Sequence, residues 1–309
     1  MGAFWQKLRS SNRAVMLVVC FAAGWLCPGL AALKWLMPWC LVYMLTVVFL
    51  RMDYTPRAVR PQHWAILAAN IAVPFALWAA MRALGVPERF GQVAFFTAIT
   101  PTATSAPVIV NFLGGSITFA SAGFLLSALL VSAVLPLAVP LVLHCPAWQV
   151  MPFLIQRVCL VSLLPLGVAM GLRRLFGERA RQVGARLTAS TLYAWMLLVV
   201  IIAASASDTL ARHAAEFPRS DILWVLLIDL FLCVFQFALG AAIGSPRHIR
   251  ECSQLLGQKN TSYTTYLAFA CDAPFAALGP AFYVFFHNAW NGLQLMLHDR
   301  AAAKTRRTL

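Results

Sequence analysis

A helix needs about 20 apolar residues in a row to cross the hydrocarbon of a bilayer. This chain repeats such runs from one end to the other. Ten can be drawn, near residues 14–33, 35–51, 63–83, 90–113, 117–143, 151–172, 188–207, 221–243, 250–273 and 275–297. In lipid there is no water for backbone N–H and C=O groups, and a single span satisfies its own only as a helix. The expected fold is an all-α membrane protein of ten transmembrane helices. Composition agrees, since 11% of the 309 residues are charged and 61% hydrophobic, whereas roughly a quarter of a soluble domain is charged. Lys7, Arg9 and Arg13 before an apolar run imitate a signal peptide. Because many spans follow, that run reads as a retained first helix.

The net charge of +14 does not point to nucleic acid, because the basic residues lie between apolar runs rather than in a stripe with aromatics. They report orientation instead. With the N-terminus in the cytoplasm, the inner segments carry 17 basic residues and the outer ones 6, leaving Lys259 within a span. Positive residues stay inside, so both termini are expected in the cytoplasm of a bacterial inner membrane. The run "RRLFGERARQVGAR" from Arg173 to Arg186 is the strongest single anchor. The eight cysteines form no CxxC and no zinc spacing. They read as small apolar fillers, with no metal and no cofactor implied.

Ten spans divide into two sets of five, and an odd number inverts the second set relative to the first. Inverted repeats mark secondary transporters, whose site lies where discontinuous helices meet. Spans four and nine carry such interruptions. Span four holds "AITPTATSAPVIVNFLGG", with Pro101 and Pro107 as expected helix breaks among Thr100, Thr102, Thr104 and Ser105. Each proline removes a backbone donor. Span nine holds "LLGQKNTSYTTYLAF", where Gly257 is the expected break and Gln258, Lys259, Asn260, Thr261 and Ser262 follow it.

Four stretches in order resemble the bile acid:sodium symporter superfamily. They are "PWCLVYMLTVVFLRMDYTPRAVR", "TPTATSAPVIVNFLGGS", "LGQKNTSYTTYLA" and "PFAALGPAFYVFFHNAWNG", and the resemblance runs from about residue 14 to 297. It implies two inverted five-helix repeats, 14–143 and 151–297. A panel domain would lie near 14–51 and 151–207, and a core domain near 63–143 and 221–297. Broken helices four and nine would cross at the midplane. Family members carry organic anions, commonly with two sodium ions. The family's ion ligands are side-chain oxygens, suited to a hard cation. At the corresponding positions this chain has Ala69, Ala106, Pro107, Ala120, Phe124, Leu255 and Lys259, with Asn70 beside Ala69. Both sodium sites are therefore expected to be gone.

An ammonium within a span is costly unless paired or hydrated. Three readings of Lys259 follow. It replaces sodium structurally, making transport sodium-independent; it takes up and releases a proton, coupling transport to protons; or it pairs with an anionic substrate. Asp229 in span eight could neutralise it, relay a proton or bond a neighbouring helix, and Gln258 shares the coupling region. Half-helices restarting after each break present N–H groups suited to an anion. Thr104, Ser105, Asn260, Thr261 and Ser262 are the expected substrate contacts, and resemblance singles out Thr104 and Asn260. The partners expected are the lipid bilayer and a small or amphipathic organic anion. His287 with Asn288 reads as helix–helix hydrogen bonding. A membrane enzyme would need a convergent acid, base or metal set, which the spans lack. A sodium- or proton-coupled symporter, or a non-transporting receptor or scaffold, stands as the alternative. Oligomeric state is not written in the sequence.

Overall fold

The computed structural model describes residues 16–52, 58–212 and 218–308. Its named elements are all helical. Helix α1 (Met16–Leu26) stops earlier than the apolar run that ends near residue 33. Proline lacks an N–H and clashes with the preceding turn. Pro28 accordingly opens a separate 3-10 segment, Pro28–Leu36, which runs into α2 (Met37–Arg51). Next come α3 (Pro61–Ala83), the short α4 (Glu88–Ala98) and α5 (Ala106–Phe112), and the long α6 (Ile117–Val142).

Span six is α7 (Ala147–Val158) and α8 (Leu164–Phe176), joined by one π turn over Cys159–Leu163. The wider turn relaxes the ladder just where Pro165 withholds a donor. Gly177 then takes φ +53, a left-handed conformation open to a residue without Cβ. Helix α9 (Glu178–Arg212) starts at the next residue. The basic run Arg173–Arg186 is thus a tight helix–helix corner, with Arg179, Arg181 and Arg186 already on α9. The chain continues through α10 (Arg219–Gly244), α11 (Ile249–Gly257), α12 (Thr261–Ala270) and α13 (Pro274–Thr308).

Six helical stretches among the described residues are long and apolar enough to cross a membrane. The expected spans outside that set have local reasons. The first is cut by Pro28, the fourth and ninth are broken, and polar residues such as His287, Asn288 and Asn291 dilute α13. Outward faces are apolar: Leu26, Leu137, Leu141, Leu223 and Phe231 are all more than half exposed. Water would penalise such a surface and lipid does not, so the molecule is an α-helical membrane protein. A long–broken–long order occurs twice, as α3, α4/α5, α6 and as α10, α11/α12, α13. The breaks lie between two buried apolar layers. Leu255 and Leu256 pack with Phe119 and Phe124 in one, and Tyr263 and Leu267 pack with Phe95 and Ile99 in the other.

Candidate functional site

Where α4 and α11 unwind, their chains pair with each other. Thr102 and Lys259 form an antiparallel bridge. Ala103 N donates to Gln258 O at 2.8 Å, and Asn260 N donates to Pro101 O at 2.8 Å. Each break frees backbone groups that lipid could not satisfy, and each break supplies partners for the other. Side chains complete the arrangement. Thr102 N donates to Ser127 Oγ at 2.9 Å and Thr102 Oγ1 to Leu255 O at 2.6 Å. Thr100 and Thr264 share a hydroxyl contact of 2.6 Å. Tyr283 OH, from α13, donates to Gly257 O at 2.7 Å.

Lys259 lies inside this junction, with 1% of its surface exposed. Its ammonium donates to Asn70 Oδ1 and, at 3.0 Å, to Ala98 O. Ala98 is the last residue of α4, so the cation sits at a helix C-terminus, the negative end of the dipole. Asn70 is itself held at the break, its Nδ2 lying 3.4 Å from both Ile99 O and Thr100 O. No carboxylate makes an ion pair with Lys259 among the described residues. Its compensation is carbonyl and amide oxygen, the donor set that a hard cation would take. At the positions where the resemblance expects ion ligands, Ala106, Ala120, Phe124 and Leu255 are buried and bring no oxygen from their side chains.

The other expected site residues fall into groups. Gln258 is buried, and its Nε2 donates to Ser105 Oγ at 2.5 Å, tying the two breaks together a second time. Thr104, Ser105 and Asn260 are half-buried, while Thr261 and Ser262 are buried in the first turn of α12. Gly257 ends α11, and a Cβ there would lie 2.3 Å from the Phe237 ring. Pro101 lies in the unwound stretch, but Pro107 does not break a helix. It occupies the first turn of α5, where an intrahelical N–H is not needed. Asp229 is fully buried and forms no ion pair with Lys259 among the described residues; its Oδ1 accepts from Thr97 Oγ1 at 3.1 Å. Asn288 bonds Val284 O of its own helix at 2.7 Å, and His287 packs edge-on against Tyr283 instead of bridging helices.

A cleft of about 510 Å³ opens between the start of α2, the α7–α8 stretch and the end of α12. Trp35, Trp39, Phe153 and Phe269 give it an apolar wall, and Lys34 and Arg157 give it two cations. Arg157 lies over the Phe153 ring at 4.7 Å. Ser162, in the π turn, is 3.4 Å from Tyr263 OH of α12 and 3.1 Å from Ser132 Oγ of α6.

Sequence reasoning passed over Thr102, Ser127, Thr264 and Tyr283 as site members. Their partners are backbone carbonyls and hydroxyls far along the chain, and no local pattern announces such contacts. Asn70 was visible only as a neighbour of an expected position. Compared with protein-family models and with curated proteins, the chain matches none.

Proposed function

We propose that this chain is a secondary transporter of organic anions in a bacterial inner membrane, working without sodium and using Lys259 as the fixed cation of its crossover. The observation that carries this reading is the Lys259 ammonium, enclosed by Asn70 Oδ1 and Ala98 O at the meeting of two unwound helices. A covalently supplied positive charge keeps two half-helices together in every state of a transport cycle, and no ion need bind first. The repeated long–broken–long order supports two inverted five-helix repeats. The four motif stretches support membership of the bile acid:sodium symporter superfamily, with panel and core domains and broken helices crossing at the midplane.

The anion is a carboxylate with an apolar body. The cleft between α2, α7 and α12 offers aromatic walls with Lys34 and Arg157, which fits an amphipathic acid. Thr104, Ser105, Asn260, Thr261 and Ser262 would receive its carboxylate, helped by the N-terminal dipole of α12. Alternating access would come from rocking the core against the panel. The test is uptake or exchange of a panel of carboxylates by proteoliposomes, with external sodium replaced by choline. Unchanged rates are expected; a steep sodium requirement would overturn the reading.

A proton-coupled form has one observation in its favour. Asp229 is fully buried in the core, and its Oδ2 has no partner among the described residues. A buried carboxyl with a free oxygen is suited to carrying a proton. Imposing a pH gradient in the same assay decides it. If the proton is coupled, an inward proton gradient drives accumulation, and Asp229→Asn retains exchange but not accumulation.

A further inference from the structure

Three helices begin around a second cavity, whose lining residues are not those of the crossover. Its volume is about 530 Å³. Arg60, Pro61 and Gln62 open α3, Ser116 and Thr118 open α6, and His248 precedes α11. These helices are 23, 26 and 9 residues long. Each brings the positive end of its dipole; of the first-turn groups, Pro61 has no N–H, His63 N donates to Arg60 O at 3.0 Å and Phe119 N donates to Ser116 Oγ at 3.3 Å.

Two arginines line the same space, Arg60 and Arg247, and neither is in an ion pair among the described residues. His248 stacks on the Phe119 ring at 4.2 Å, and its Nδ1 is buried without a partner among the described residues. His63 is already committed. Its Nδ1 accepts from Arg60 N at 2.8 Å, so the proton is on Nε2, which donates to Phe119 O at 2.9 Å. A carboxylate also meets the lining, since Glu251 Oε1 accepts from Ser116 N at 2.6 Å. Arg250 is turned to Leu113 O at 2.5 Å. Two arginines thus stand against one carboxylate at the lining among the described residues, and the balance is positive.

We infer that this cavity binds a phosphate group, carried either by an anionic lipid headgroup or by a free phosphate compound. Arginine's planar fork matches phosphate oxygens in pairs, and helix N-termini receive the same oxygens. The volume exceeds that of a bare anion and admits the rest of a headgroup or small ester. A ligand here would join the starts of α3, α6 and α11, and so stiffen one end of the bundle.

The purified full chain is reconstituted in phosphatidylcholine nanodiscs and its melting temperature is followed. Inorganic phosphate and glycerol 3-phosphate are titrated in one arm; in the other, phosphatidylglycerol replaces part of the phosphatidylcholine. A rise with the soluble compounds assigns a free phosphate, and a rise only with phosphatidylglycerol assigns a headgroup. In either case Arg247→Gln should weaken the half-saturating concentration about tenfold, the worth of one charge-assisted contact. Arg247 is exposed, so the variant should fold. Arg212→Gln, at an exposed arginine paired with Asp208 on α9, is the control and should bind like the parent. No rise in either arm, or equal rises in parent and Arg247→Gln, would overturn the inference.

Discussion

At the scale of single residues, the most unusual placement is an ammonium in a closed, largely apolar interior. Taking such a group from water costs several kcal/mol, and two oxygen acceptors offset this only while both stay in place. Asn70→Leu removes one of them. We expect it to lower stability by about 2 kcal/mol, the scale for a buried charge losing a hydrogen bond. Lys259→Met removes the cation and should abolish transport while leaving the protein in the membrane. The double variant tests whether the pair acts as a unit. Two apolar side chains of similar volume can replace a buried charge and its partner at little cost. Lys259→Met with Asn70→Leu should therefore be more stable than Asn70→Leu alone and still inactive. A melting temperature equal to the sum of the single effects would show that the residues are uncoupled. Near-normal uptake by Lys259→Met would make the lysine incidental. Lys259→Arg should also fail, because a planar guanidinium does not fit a cavity closed around an ammonium.

At the scale of elements, the two breaks are where sequence and structure agree best, and where the detail differs. The stretch from Gly257 to Ser262 reads as an interruption because a glycine and five polar residues stand in one apolar span, and α11 does end at Gly257. In span four both prolines looked equivalent. The chain unwinds around Pro101, whereas Pro107 sits where a helix tolerates proline. Composition cannot make that distinction, because it depends on where the next helix starts. Pro28, passed over within an apolar run, has the opposite role and separates α1 from α2. The partner of each break was not legible either. The Thr102–Lys259 bridge joins residues 157 positions apart, and nothing local specifies it. Packing adds a further constraint that sequence conceals. Gly257 faces the Phe237 ring of α10 so closely that an added Cβ would lie 2.3 Å away. Gly257→Ala should cost about 1–3 kcal/mol through overpacking, read as a lower melting temperature. Because Gly257 O also accepts from Tyr283, the displaced carbonyl should reduce transport as well. An unchanged melting temperature would mean that α10 yields easily at this point.

At the scale of the whole molecule, the charge bias and the aromatic residues concern the same axis. Trp35, Trp39 and Trp224, each more than half exposed, lie near the ends of helices that the basic-residue count assigns to the outer side. Trp64, also more than half exposed, lies near the start of α3, which the same count assigns to the inner side. Indole rings favour the water–lipid interface, so with the proposed orientation these residues would mark two boundary levels. With that orientation the two basic corners would fall at one level, Arg173–Arg186 between α8 and α9, and Arg247 with Arg250 between α10 and α11. That orientation places Cys27, exposed between α1 and the 3-10 segment, on the side away from the cytoplasm. The same orientation would place Arg179, exposed at the start of α9, on the cytoplasmic side. A membrane-impermeant maleimide applied to intact cells should label Cys27. In a variant with Cys27→Ser and Arg179→Cys, labelling at position 179 should appear only after permeabilisation. Labelling of position 179 in intact cells, with none at Cys27, would reverse the orientation. The same reversal would move the Arg60–Arg247 cavity to the outer face, so it would also change which leaflet or compartment could supply its phosphate.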